Sequence, residues 1–70
     1  LQKATTFEIC LVYLDKRADG SYSEYFEMEG IKNAMMIFNE YRRIGFSLRL
    51  RYIEMHIKDD IKVKRVNFKY

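Results

Sequence analysis

Cys10 and His56, one cysteine and one histidine in 70 residues, are the side chains best suited to nucleophilic chemistry. A Cys–His nucleophile needs both groups within hydrogen-bond reach, so that the imidazole can take the thiol proton. His56 belongs to an exposed polar row with Glu54 and Lys58, whereas Cys10 is expected on the other face of the sheet. This pattern predicts a solvated histidine and a small buried thiol, and we do not expect an enzyme.

Metal and phosphate sites are not predicted either. A structural zinc site takes about four Cys, His or acidic ligands, and this composition does not supply them. A calcium loop beginning at Asp15 would place Arg17 at a ligand position and Phe26 where the bidentate glutamate belongs. No glycine-rich phosphate loop occurs. We therefore predict no metal, no cofactor and no small-molecule substrate.

A first hairpin is predicted before the helix. A β-rich apolar run from about Thr5 to Leu14 is followed by Asp19-Gly20 and by a second run from Tyr22 to Met28. Asp-Gly between two such runs is typical of a two-residue type I′ turn. In that register Tyr13 faces Phe26 and Leu11 faces Met28. The expected core face then carries Phe7, Ile9, Leu11, Tyr13, Phe26 and Met28.

A helix is predicted from Ile31 to Ile44. Its apolar residues recur at helical spacing, and Lys32 and Glu40 lie on the opposite side. Arginines in the last turn suit the negative end of the helix dipole. Gly45 stands where a left-handed C′ glycine is expected.

A second hairpin is predicted from Phe46 to Tyr70, with a three-residue loop at Lys58-Asp59-Asp60. Its apolar alternation changes phase in both strands. We interpret this as one register in which Ile57 meets Ile61, Met55 meets Val63, Tyr52 meets Val66, Leu50 meets Phe68 and Leu48 meets Tyr70. The base of the hairpin would then point its apolar residues, including Tyr52, to the helix side, and the tip would point them away.

These elements predict one small α+β domain over residues 1–70. The architecture is ββαββ, a four-stranded, mostly antiparallel sheet with one helix packed on one face. The sequence does not fix the order of the strands in the sheet, and 2-1-3-4, with strand 1 beside strand 3, is a working hypothesis. A helix of about 14 residues cannot cover both faces of such a sheet, so one face needs another explanation.

The face away from the helix is expected to be unusually apolar, and large apolar patches often mark interfaces. We therefore expect a non-enzymatic protein-interaction module, an adaptor, regulator or inhibitor, that binds another protein or itself as a homodimer. The alternative is that the second hairpin coils until its tip joins the core. The candidate partner-binding residues are Leu14, Tyr25, Ile53, Met55, Ile57, Ile61 and Val63.

Positive charge is concentrated in the C-terminal half, within a net charge of +3. A basic β-ribbon can neutralise phosphates, so the alternative function is nucleic-acid binding by the second hairpin. Aromatic residues are not expected on this basic face, and no RNP1 or GXXG motif occurs. The candidate residues are Arg49, Arg51, Lys62, Lys64, Arg65 and Lys69.

The cellular compartment is predicted from the cysteine content. A single cysteine makes no intramolecular disulfide, which favours a reducing, cytoplasmic setting. No apolar run approaches the roughly 18 residues of a membrane helix, so no membrane association is expected.

Overall fold

The computed structural model describes residues 4–70, which form four strands and one helix. In chain order the elements are β1 (Thr6–Tyr13), β2 (Ser23–Glu29), α1 (Ile31–Ile44), β3 (Leu50–Ile57) and β4 (Lys62–Asn67). All neighbouring strands are antiparallel, in the order β2-β1-β3-β4. The predicted ββαββ fold and strand order are confirmed. Within the described residues, no helix is long and apolar enough to cross a membrane.

The first hairpin has a longer connection than Asp19-Gly20 predicts. Ile9 faces Phe26 and Phe7 faces Met28, so the register is shifted by four residues from the predicted one. Arg17 accepts a hydrogen bond from Gly20 N–H, and Gly20 has a φ of 84°. This is a three-residue loop with a glycine bulge, so the predicted type I′ turn is wrong. Because the shift is even, the predicted core face is retained.

The bounds of α1 agree with the prediction, but Gly45 is not the left-handed residue that was predicted after it. Gly45 has right-handed helical angles, with φ −58° and ψ −35°. The left-handed residue is Arg49, with φ 59°. Arg49 N–H bonds Phe46 O, and Leu50 N–H bonds Gly45 O, which is the hydrogen-bond pattern of a Schellman motif with Arg49 at C′. The left-handed C′ position therefore lies four residues later than predicted, and because Leu48 belongs to this turn, the predicted strand pairing of Leu48 with Tyr70 is wrong.

A β-bulge explains the change of phase in β3. Tyr13 pairs with Leu50 and Val12 with Tyr52, so Arg51 is an extra residue against β1. An extra residue inverts the alternation beyond it. Leu50 and Ile53 can therefore both point into the core, and Tyr52 points away from the helix. The prediction that Tyr52 lies on the helix side is wrong.

A second bulge explains the change of phase in β4. The predicted contact of Ile57 with Ile61 is present as a backbone hydrogen bond. Beyond it, Val63 is an extra residue, and Met55 pairs with Lys64. Two bulges, one against β1 and one against β3, therefore replace the single register in which the hairpin changed face.

The core lies between the sheet and α1. Ile53 and Met55 are completely buried, at 0% exposure, and Ile57 packs against the core from its edge. The prediction that these three residues form an exposed face is wrong, because the bulge at Arg51 turns them toward the helix. The alternative, in which the tip of the hairpin coils onto the core, is not observed either, because Ile61 and Val63 at the tip remain exposed. The fully or nearly buried residues are Phe7, Ile9, Leu11, Ala34, Phe38, Leu50, Ile53, Met55 and Phe68.

Candidate protein-docking surface

The sheet face opposite α1, called here the open face, consists of three cross-strand rows. Each row takes one residue from each strand in the order β2, β1, β3, β4, because paired residues point to the same side of a sheet. The rows are Glu27-Glu8-His56-Lys62, Tyr25-Cys10-Glu54-Arg65 and Ser23-Val12-Tyr52-Asn67.

Arg65 is the centre of a side-chain network on this face. Its guanidinium lies over the ring of Tyr52, 3.7 Å from the centroid. It donates hydrogen bonds to Glu54 at 3.1 Å and to Asn67 at 3.0 Å. His56 Nε2 lies 3.0 Å from the other oxygen of Glu54. The network therefore holds the long Arg65 side chain flat against the sheet.

Glu54 is the anionic partner that both neighbours share. Its side chain is 15% exposed. Burial opposes its ionisation, but hydrogen bonds from His56 and Arg65 outweigh burial and leave the pKa of Glu54 lower than its ordinary value. A stable carboxylate between two cationic or hydrogen-bonding groups suits a structural ion pair rather than a general acid.

Cys10 and His56 both lie on the open face, so the prediction that they occupy opposite faces is wrong. The bulge at Arg51 brings His56 to the side of Cys10, in the next row. Burial raises the pKa of the Cys10 thiol, and the nearby charges of Glu54 and Glu8 raise it further. The reactive form of a cysteine is the thiolate, so this surrounding suppresses nucleophilic chemistry.

Charge changes sign across the open face from one edge strand to the other. β2 contributes Glu27, which pairs with Lys58 from the tip of the second hairpin at 3.2 Å. β1 adds Glu8, and β4 contributes Lys62 and Arg65. The β2 edge therefore carries the carboxylate of Glu27 and the β4 edge carries the cations of Lys62 and Arg65. Between them, β1 and β3 present Cys10, Val12 and Tyr52 together with the charged or polar Glu8, Glu54 and His56.

The predicted partner-binding residues are divided by the structure. Tyr25 lies on the open face with 66% of its surface exposed. Ile61 and Val63 are exposed near the tip of the second hairpin, and Leu14 is half-buried just beyond β1. The buried or core-packed Ile53, Met55 and Ile57 are not available to a partner.

The predicted nucleic-acid-binding residues do not form one stripe. Arg65 and Lys62 lie on the open face, but Lys64 lies on the helix side, 5.5 Å from the ring centroid of Phe38. Arg49 is in the turn after α1 and pairs with Asp15 at 2.7 Å. The two remaining candidates, Arg51 and Lys69, are exposed.

Two groups of surface residues were missed from the sequence. Tyr52, Glu54 and His56 belong to the open face, and only the position of the bulge places them there. Phe46 and Tyr70 are exposed beside each other, in edge-to-face contact at 5.2 Å between ring centroids. Their aromatic character was visible, but their contact depends on the turn that ends at Arg49.

The described part of the chain has no enclosed pocket, and no three of its His, Cys, Asp and Glu side chains gather as metal ligands. Comparisons with protein families, curated proteins and solved structures found none that matches this chain.

Proposed function

We propose that this chain is a non-catalytic domain that binds a protein surface through its open face. The observation that carries the proposal is that α1 covers one face of the sheet, while no other element of residues 4–70 covers the other. The uncovered face combines the exposed Tyr25 with the half-buried Val12 and Tyr52 and with an arginine. Tyrosine and arginine are enriched among residues that contribute most to protein interfaces.

Side chains of the open face are also held in fixed positions before any partner binds. Arg65 is held by Tyr52, Glu54 and Asn67. A side chain that is already ordered loses less conformational entropy when a partner arrives. This supports binding by a fixed, flat surface rather than by a flexible loop.

A protein partner is favoured over nucleic acid by the distribution of charge. Glu8, Glu27 and Glu54 all lie on the open face, where they repel phosphate groups. Arg65 and Lys58 are already paired with Glu54 and Glu27. A partner that presents both acidic and basic groups fits this surface better than a uniformly negative one.

We also propose a reducing compartment such as the cytoplasm, because a single free cysteine makes no disulfide within the chain. The raised pKa of Cys10 keeps it as a thiol, and its position on the open face leaves it beside Glu54 rather than in a nucleophilic pair. In this role Cys10 contributes a small, weakly polar surface.

Capture of partners by matched surface variants tests the proposal. Tyr25 on the open face and Met36 on α1 are each 66% exposed. We expect a partner captured by the wild type and by Met36→Glu to be reduced at least tenfold with Tyr25→Glu, because the new charge lies within the docking surface. The partner is then identified and its binding measured with purified protein.

The opposite pattern, loss with Met36→Glu and retention with Tyr25→Glu, would place binding on the helix and contradict the proposal. Nuclease treatment of the lysate separates the alternative function. If capture disappears after nuclease and falls steeply with salt, the chain binds nucleic acid.

A further inference from the structure

The charged and apolar residues of the open face match those of a second copy of the same face when the two copies are related by one particular twofold rotation. Two sheets that pack face to face in aligned fashion lie about 10 Å apart, with strands within about 30° of each other. A twofold axis between them then runs either along the strands or across them. The two choices place different residues against each other.

An axis along the strands, between β1 and β3, reverses the strand order but keeps each row in place. The acidic β2 of one copy then lies over the basic β4 of the other, and β1 lies over β3. Each contact occurs twice, as in every isologous interface. The facing residues are Glu27 with Lys62, Glu8 with His56, Tyr25 with Arg65 and Cys10 with Glu54, each from a different copy.

The third row agrees with the first two. Val12 of one copy lies over Tyr52 of the other, and Ser23 lies over Asn67. Apolar residues near the middle therefore meet each other, and polar residues meet at the edges. Sheet twist displaces the edges by about one residue, a distance that the long side chains of Glu27 and Lys62 can span.

An axis across the strands gives the opposite result. Each strand would then lie over its own copy, and the central row would lie on itself. Glu54 would meet Glu54 and Arg65 would meet Arg65. Like charges brought together in an interface suppress association.

We propose that the open face binds a second copy of this chain, related by a twofold axis parallel to the strands between β1 and β3. The proposal rests on the proposed function, since it names the partner of the same surface. Strands about 4.8 Å apart, of about six residues at about 3.4 Å each, give a face of roughly 400 Å² in projection. Each partner contributes about 800 Å² to a standard interface, so this face is smaller than standard and we expect a weak dimer.

Charge exchange between the two edge strands tests this arrangement. Glu27 and Lys62 lie on opposite edges of one sheet, with two strands between them, so they meet only across the dimer. Lys62→Glu alone creates two like-charge contacts with Glu27 across the dimer. Glu27→Lys alone creates two with Lys62 and also removes the ion pair between Glu27 and Lys58 of the same chain, so its matched control must also lose an ion pair, as Glu40→Lys does with Arg43. We expect each to weaken dimerisation about tenfold at low ionic strength, where surface charges are least screened. The double variant exchanges both charges and should return to within about threefold of the wild type.

Matched controls lie on the helix. Glu40→Lys and Lys32→Glu change the net charge by the same amounts at exposed positions of α1, and they should leave the dimer unchanged. Sedimentation equilibrium from about 10 to 500 μM measures all six proteins, and circular dichroism shows whether each variant folds.

A chain that stays monomeric across this range, or a double variant no better than the singles, overturns the twofold arrangement. In that case, a different partner that is lost with Tyr25→Glu and kept with Met36→Glu still supports the proposed function. If Glu27→Lys and Lys62→Glu leave dimerisation unchanged and Tyr25→Glu leaves partner capture unchanged, both proposals fail.

Discussion

Replacing Gly45 with alanine tests why glycine stands at the end of α1. A Cβ built on Gly45 overlaps the ring of Phe68 at three carbons, and even the farthest of them, Cε2, is only 2.9 Å away. The φ of Gly45 is −58°, an angle that any residue adopts. Glycine is therefore required here for space and not for a left-handed conformation.

The magnitude follows from two opposing effects. Alanine favours helical backbone over glycine by about 0.5–1 kcal/mol. Overpacking a well-packed core costs about 1–3 kcal/mol, and Phe68 is a nearly buried core residue in edge-to-face contact with Phe46. The ring must move by about 1 Å or more before carbon atoms reach ordinary contact near 3.5 Å. We expect Gly45→Ala to lower the free energy of unfolding by about 1–2 kcal/mol.

Urea and thermal unfolding measure this effect. A loss of about 1–2 kcal/mol corresponds to a fall in Tm of roughly 4–16 °C for a domain of this size. Phe68→Leu is the second arm of a double-mutant cycle, because it shortens the side chain that the new methyl group meets. The double variant should be more stable than the sum of the single effects by about 1 kcal/mol.

Additive effects in this cycle would refute the steric explanation. So would a Gly45→Ala variant as stable as the wild type, since the helical preference of alanine would then act unopposed. If Gly45 were the left-handed C′ residue that the sequence predicts, shortening Phe68 would not rescue the alanine variant.

Two further predictions concern stability. Burial, the hydrogen bond to Glu24 at 2.6 Å and the charge of Glu24 raise the pKa of Tyr13 from 10.0 to about 12. The folded state therefore favours the neutral phenol of Tyr13, and this preference adds at most about 2.7 kcal/mol to the free energy of unfolding below pH 10, which is lost as pH rises through 12. The free energy of unfolding of Tyr13→Phe should therefore fall less steeply with pH between 10 and 12 than that of the wild type. Equal slopes would contradict this prediction. Met55→Ala should lower the free energy of unfolding by about 2–5 kcal/mol because Met55 is fully buried, whereas Ile61→Ala should change it by no more than about 0.5 kcal/mol. Equal effects of the two variants in urea unfolding would contradict the assignment of Met55 to the core.

The open face shows how little of a site can be predicted when register decides it. The sequence predicts the face of Tyr25 correctly because β1 and β2 alternate regularly and an even error in register preserves the face. Tyr52, Glu54 and His56 were placed wrongly because one extra residue in β3 inverts the alternation on one side of the bulge. The apolar Ile53 and Met55, which the sequence predicts at an interface, therefore lie in the core.

The sequence by itself determined the elements, their order along the chain and the four-stranded sheet with one helix, whereas the order of the strands within the sheet comes from the structure. Those features follow from hydrophobic periodicity, which extends over many residues and survives a local error. Only the tertiary structure decided the bulges at Arg51 and Val63, the loop at Gly20 and the left-handed turn at Arg49. The bulges depend on how strands distant in sequence pair, and the right-handed conformation of Gly45 brings it against Phe68 from the other end of the chain. Such contacts join residues distant in sequence, so no local pattern records them.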